Sequence, residues 1–296
     1  MNILVHGNCQ VQQLVLGMNL ALMGKANVYG VELSNPSATK ELESLASRTG
    51  SSKIDLVVTN QDTIKVTQYF EPSVVYTIPI ISFGGFHPDV VYFSSAEAPE
   101  KPASFMKNPT VSALALWGYS NGCSVDETIS FYSESLFEEL RYMEYFDLAC
   151  ESLFESYRMN EINSMYLERH VVSSDVFMYG PLHPRLDVVL SLCFGVLEKL
   201  NLAPENSYES IAGVVPDPLE HEYYWGCFPP IAARLGLSGS WFIRHWNNVF
   251  PTIAHYVNGF FTHMSQHQRG PVHFFERDRL RFKEYHKIDA VLGSRR

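Results

Sequence analysis

Apolar positions in the first sixty residues fall into short runs separated by longer stretches of helical period. Asn2 to His6 is a short apolar run, Gly7-Asn8-Cys9-Gln10 interrupts it, and Val11, Leu14, Val15, Met18 and Leu22 then recur at helical spacing. This predicts a strand, a tight turn and an amphipathic helix. Val28 to Leu33 reads as a second strand, Ala38 to Ala46 as a helix, and Ile54 to Val58 as a third strand closing at Thr59-Asn60. Strands that alternate with helices point to a parallel sheet covered on both faces. Ser73 to Phe83 is strongly β-prone and runs into the turn cluster Gly84-Gly85-Phe86-His87-Pro88-Asp89.

The pattern changes near residue 108. Val111 to Trp117 and Val125 to about Tyr157 read as helices with few breakers, the longer one carrying aromatics and glutamates in an acidic amphipathic stretch. A break at Ser173 to Pro184 precedes a helix with Val188, Val189, Leu192, Val196, Leu197 and Leu200, which Pro184 is expected to open from its first turn. The last ninety residues place Pro216, Pro218, Pro229, Pro230 and Pro251 between short helical patches and end in a basic segment. With no repeat or low-complexity linker, the expected organisation is one compact domain over residues 1–296. It comprises an α/β core over 1–108, a helical segment over 109–202 and a helical or irregular region over 203–296.

Composition narrows the function classes. The 296 residues are 46% hydrophobic and carry 22 Lys and Arg against 32 Asp and Glu, a net charge of -10. That field repels nucleic acid and anionic lipid, so an anionic ligand needs a local positive spot. Polar residues break the apolar run at the amino end, which reads as neither a membrane span nor a signal peptide, so a cytoplasmic location is expected. Cys9, Cys123, Cys150, Cys193 and Cys227 are odd in number, widely spaced and without a CxxC pair. They fit reduced thiols better than a disulfide framework or a zinc site. The histidines, including His255, His263, His267 and His273, match no metal-ligand spacing, and no metal is expected.

Cys9 is the most informative residue, because it stands where the first strand hands over to the first helix. The positive end of a helix dipole favours a thiolate, and ligands of open α/β sheets bind at strand carboxyl ends. Asn8, Gln10 and turn amides following Gly7 are donors suited to an oxyanion. A small inert cysteine filling the turn would give the same local pattern. His87-Pro88 and His183-Pro184 each end an apolar or β-prone stretch. A histidine beside a helix N-terminus stays neutral and serves as a base, although a turn histidine satisfied by backbone reads the same way. Tyr223, Tyr224, Trp225, Trp241 and Trp246 offer faces for sugar stacking or for ordinary core packing.

These residues resemble a known family. Gly7-Asn8-Cys9-Gln10 after the first strand is followed by Pro79-x-Ile81-x-Phe83-x-Gly85-x-His87-Pro88-Asp89-x-x-Tyr92. A charged helical stretch through Leu140-Arg141-Tyr142-Met143-Glu144 and Asp147 comes next, and then His183-Pro184. The order is similar to that of the WcbI-type polysaccharide-biosynthesis acetyltransferases over about residues 1–202. The topology is similar to SGNH hydrolases, with Cys9 in the nucleophile slot and His183 as the late histidine. The resemblance implies an SGNH/Rossmann-like fold, a parallel-sheet three-layer core with a large helical carboxyl-terminal portion. It also implies coenzyme A or acetyl-CoA as co-substrate and O-acetylation of a capsular or surface polysaccharide sugar. Implied catalytic residues are Cys9, His183 and His87, with Gly7, Asn8, Gln10, Gly85, Asp89 and Tyr92 around the oxyanion or substrate. Lys107, Arg169 and Arg185 are candidates for the phosphates, and a homo-oligomer is an open expectation.

The sequence departs from both patterns. No Asp-x-x-His precedes His183, which follows Tyr179-Gly180-Pro181-Leu182, and Met143-Glu144 stands where the family tends to show Arg-Glu. Two routes use the same residues: an acyl-Cys9 intermediate, or direct transfer with His183 or His87 as base. An esterase or thioesterase on the same residues, and a non-catalytic carbohydrate- or coenzyme A-binding protein, are the alternatives.

Overall fold

The computed structural model describes residues 1–33, 35–49, 54–60, 64–95, 98–102, 105, 110–173, 175–221, 223–266, 273–274 and 279–295. The chain divides into two compact units, Met1–Ser82 with Cys150–Met178 and Leu182–Glu220, and Phe83–Ala149 with Tyr179–Pro181 and His221–Arg296. Residues 1–108 and 109–202 each contribute to both units.

The first unit opens with β1 (Asn2–Gly7), α1 (Val11–Leu22), β2 (Asn27–Glu32), α2 (Ala38–Thr49), β3 (Leu56–Thr59), α3 (Ile64–Thr67) and β4 (Val74–Thr77). The strands are all parallel in the order β2-β1-β3-β4, with Val5 opposite both Gly30 and Val58. Central parallel strands are covered on both faces, which is why β1 carries Ile3, Leu4 and Val5 in succession, each fully buried. One face packs Leu4, Val31 and Val57 against Leu42 and Leu45 of α2 and against Val66 and Phe70. Gly30 points to the opposite face, where a Cβ would lie 2.7 Å from Val15 Cγ2 of α1. Behind α1 lies the helix Leu186–Lys199, so close that a Cβ on Gly17 would stand 2.9 Å from Cys193 Sγ. The three layers and parallel sheet are those the alternating pattern implies.

Several local expectations change. Ser73 to Phe83 yields only β4; Ile78 N–H still donates to Thr59 O at 2.8 Å, but Pro79 has no N–H to continue the ladder. The helix expected to open on Pro184 starts at Leu186 with Arg185 as its N-cap, so the proline stands just ahead of the cap. Val111 to Trp117 is a strand, Thr110–Ser112, before it is a helix, Ala113–Ser120, because Ser112 accepts from Ala115 N–H and caps it. The continuous helical stretch from Val125 breaks into Val125–Ser130, Glu134–Glu139, a 3₁₀ turn Tyr142–Glu144 and Tyr145–Met159. Ser133 starts a new helix there, and Arg141 adopts a left-handed φ of 60°.

The second unit is less helical than the sequence suggests. Val90–Ser95 pairs antiparallel with Ala98–Pro102, Thr110–Ser112 and His273–Phe274, and Tyr223–Trp225, Ile243–His245 and Asn248–Phe250 form another antiparallel sheet. Aromatic packing fills its core, with Trp225 and Tyr256 ring centroids 5.3 Å apart and Phe105 and Phe260 also 5.3 Å apart. Tyr223 and Trp225 are therefore core residues, whereas Trp246 is 45% exposed.

Candidate active site

The turn after β1 is built by two asparagine side chains and one glycine. A Cβ on Gly7 would fall 2.1 Å from Asn60 Oδ1, so only glycine lets the Asn60 side chain cross from the carboxyl end of β3. Asn60 Oδ1 accepts from Asn8 N–H at 3.1 Å, Asn60 Nδ2 donates to Asn8 Oδ1 at 2.9 Å, and Asn8 Oδ1 also accepts from Gln10 N–H at 3.2 Å. Cys9 sits half-buried inside this pinned turn as a reduced thiol, and α1, which begins two residues later, has no acidic side chain in its first turn. The positive end of the α1 dipole is thus uncompensated by carboxylates of its own turn. The Cys193 and Cys227 thiols, by contrast, are pushed up to about 12 by burial and are inert at neutral pH.

Gln10 reaches away from the turn. Its Nε2 donates to Ile81 O at 2.7 Å and to Leu182 O at 3.1 Å, and its Oε1 accepts from Ile81 N–H at 3.2 Å. One turn further along α1, Gln13 Nε2 donates to Pro184 O at 3.1 Å. Gln10, the N-cap of α1, and Gln13 in its first turn therefore hold the backbone on either side of His183. The His183 imidazole is half-buried, and desolvation pushes it down to about 4, so it is neutral at pH 7.

The remaining motif residues lie in the second unit. His87 Nε2 donates to Trp225 O at 2.7 Å, which fixes its proton on that nitrogen, and the ring is buried. Asp89 caps the helix Ala113–Ser120: its Oδ1 accepts from Leu114 N–H at 3.0 Å and from Tyr142 O–H at 3.3 Å. Burial raises this carboxyl to about 7 against those hydrogen bonds. Gly85 admits Phe146, whose Cα would stand 2.8 Å from an added Cβ, within a cluster with Phe83 and Phe86. Tyr92 is half-buried on the strand Val90–Ser95. Arg169 pairs with Glu209 at 2.8 Å and Arg185 with Asp175 at 3.1 Å, all four on the surface of the first unit. Lys107 and His267 lie outside the described residues. Among the described residues no group of three or more His, Cys, Asp or Glu is placed to hold a metal ion.

Asn60 and Gln13 were not singled out from the sequence as site residues. Asn60 carries the clearest signal, since it directly follows a predicted strand at the edge where ligands bind.

With this geometry in place, the family assignment follows from the chain itself, since residues 2–205 match the family model of the polysaccharide biosynthesis enzyme WcbI. The chain belongs to the WcbI family. The WcbI match takes in Cys9, His87, Asp89 and His183 and stops before the last ninety residues. No curated protein matches the sequence. A solved structure of WcbI is similar with a TM-score of 0.67 at 13% identity, covering 90% of this chain and 91% of that one. It is described as a novel polysaccharide biosynthesis enzyme, in a native form without a disulfide bond between coenzyme A and one of its cysteines. That likeness establishes a shared fold extending beyond the WcbI family match. Among the described residues, no helix is long and apolar enough to cross a membrane.

Proposed function

We propose that this WcbI-family chain is an acetyl-CoA-dependent O-acetyltransferase, with Cys9 as nucleophile, His183 as base and a sugar hydroxyl of a surface polysaccharide or its precursor as acceptor. The observation that carries this reading is the half-buried Cys9 thiol in a strand-to-helix turn whose helix also holds the backbone on both sides of His183. The description of the solved relative, which concerns coenzyme A and a cysteine thiol, supports the choice of donor.

In the first half-reaction the Cys9 proton passes to neutral His183 as the sulfur attacks the thioester carbonyl. The bond to the coenzyme A sulfur then breaks, and that thiolate takes the proton from His183. In the second, His183 accepts the sugar hydroxyl proton, the oxygen attacks the acyl-Cys9 carbonyl, and the proton returns to the departing Cys9 sulfur. The Asn8 carboxamide, turned by the two bonds its oxygen accepts, presents Nδ2 to the oxyanion of each tetrahedral intermediate. Gly7 and Gln10 shape this turn. His87 Nε2 donates to Trp225 O, so any proton that His87 accepts goes to Nδ1. Arg169 and Arg185 are candidates for the phosphates despite their ion pairs, since exposed pairs contribute only about 0–1 kcal/mol and exchange readily.

A thermal-shift titration with coenzyme A and acetyl-CoA, with ATP as the phosphate-bearing control, tests the donor. Ligand at ~100 times its Kd adds ~2.7 kcal/mol, a rise of a few degrees for a chain this size. Both coenzyme A forms are expected to raise Tm and ATP is not. No shift at millimolar ligand overturns the reading, and steady acetyl-CoA hydrolysis without any sugar would replace transferase by thioesterase.

A further inference from the structure

Gln13 is fully buried in α1, and among the described residues its Oε1 has no hydrogen-bond partner. A buried amide with an unsatisfied oxygen is a poor core filler, so the residue is explained by what its nitrogen does. Nε2 donates to Pro184 O at 3.1 Å and to Asp217 Oδ1 at 3.0 Å. Asp217 Oδ1 also accepts from Leu219 N–H at 2.9 Å, and Oδ2 accepts from Leu186 N–H at 2.6 Å. Arg185, the N-cap of the helix Leu186–Lys199, makes no side-chain cap bond, so Asp217 caps that helix from a distant segment. One carboxylate thus joins Gln13 of α1 to Leu186, the first residue of the helix behind it, while Gln13 itself holds Pro184, the residue following His183. Asp217 comes after the residues that the family model matches.

We infer that Asp217, acting through Gln13 and the capped start of the helix Leu186–Lys199, is a positioning residue that fixes the His183 backbone relative to Cys9. On this reading, which rests on the proposed acetyl transfer for its catalytic consequence, the segment beyond residue 205 completes the site. A helix start held from both sides gives His183 one backbone position, and a displacement of about 1 Å at such a group costs up to about 100-fold in rate.

The full-length chain, D217A, D217N and Q13M are compared by side-chain NMR of His183, identified by its absence in H183Q, and by steady-state acetyl transfer. D217A and Q13M are expected to move the His183 resonance and its titration midpoint towards those of a solvated imidazole. They are expected to lower kcat by about 10- to 100-fold while KM for acetyl-CoA changes little. D217N keeps the acceptor for Gln13 and Leu219 but loses the one for Leu186, and is expected to fall in between. Folded D217A and Q13M with an unchanged His183 resonance and unchanged kcat would overturn the inference. If D217A does not fold, Q13M, which fills the same volume without donors, decides it. A wild-type chain that transfers no acetyl group would remove the proposed function, and the NMR comparison would still test the positioning role.

Discussion

At the scale of single residues, one glycine fixes the turn that carries Cys9, and two buried groups titrate in opposite directions. A methyl group on Gly7 would meet Asn60 Oδ1 at 2.1 Å, and the asparagine cannot retreat without releasing Asn8 N–H and its bond to Asn8 Oδ1. Gly7→Ala is expected to cost about 1–3 kcal/mol and to abolish the coenzyme A-dependent rise in Tm. Urea denaturation and the ligand titration read the two effects separately, and an unchanged midpoint would show that the turn is not pinned this way. His183, held near 4 against an ordinary 6.5, favours the neutral form in the fold. Its contribution to stability is complete above pH 6.5 and is lost as the pH falls towards 4. Asp89, raised from 3.8 to about 7, favours the protonated form, so its contribution is complete below pH 3.8 and is lost as the pH rises towards 7. Asp89→Asn keeps an oxygen for Leu114 N–H and Tyr142 O–H and removes the charge, so it is expected to stabilise the chain more at pH 8 than at pH 5 in denaturation experiments.

At the scale of elements, α1 is the part on which the proposed chemistry converges, since it carries Cys9 before its first turn and the glutamines that hold the His183 backbone. Gly17 lets the helix Leu186–Lys199 approach it, with Cys193 Sγ and Leu190 Cδ2 each 2.9 Å from the position a methyl group there would take. Gly17→Val is expected to cost about 1–3 kcal/mol in urea unfolding and to lower acetyl transfer, because it parts the two helices whose starts follow Cys9 and His183, the proposed nucleophile and base. Wild-type stability and rate in this variant would argue against that coupling. The strand, turn and helix around Cys9 were legible because the apolar period changes from a continuous run to helical spacing within a few residues. The breaks at Ser133 and Arg141 were not, because the flanking residues are all compatible with helix and only the caps decide. The sheet of Tyr223–Trp225, Ile243–His245 and Asn248–Phe250 was invisible for another reason. Its three-residue strands are too short for an alternation signal, and the pairing of the first two spans about twenty residues. Cys9 and His183 stood out by chemistry and position, whereas Gln13 and Asp217 gain their meaning from bonds across some 200 residues of chain, which no local pattern records.

At the scale of the whole molecule, the two units should answer pH in opposite directions, because His183 belongs to the first and Asp89 to the second. Between pH 4 and 6.5, amides of the first unit are expected to gain protection as pH rises and those of the second to lose it, after correction for intrinsic exchange. Hydrogen exchange with peptide-level resolution on the intact chain measures both slopes, and His183→Ala and Asp89→Asn should flatten one each. Parallel slopes in the two units would contradict the assignment of these groups. The net charge of -10 adds a salt dependence, since repulsion of an anionic donor weakens as ions screen it, so the coenzyme A-induced rise in Tm is expected to hold or increase at moderate salt. The most direct test of the central claim is to mix the wild-type chain with acetyl-CoA, quench in acid within a turnover, and map the acetyl group by peptide mass spectrometry. An acetyl thioester on Cys9 that disappears when a sugar acceptor is added is the predicted result. Acetyl transfer to sugar at the wild-type rate by Cys9→Ala, with no acyl group found on the wild-type Cys9, would contradict it.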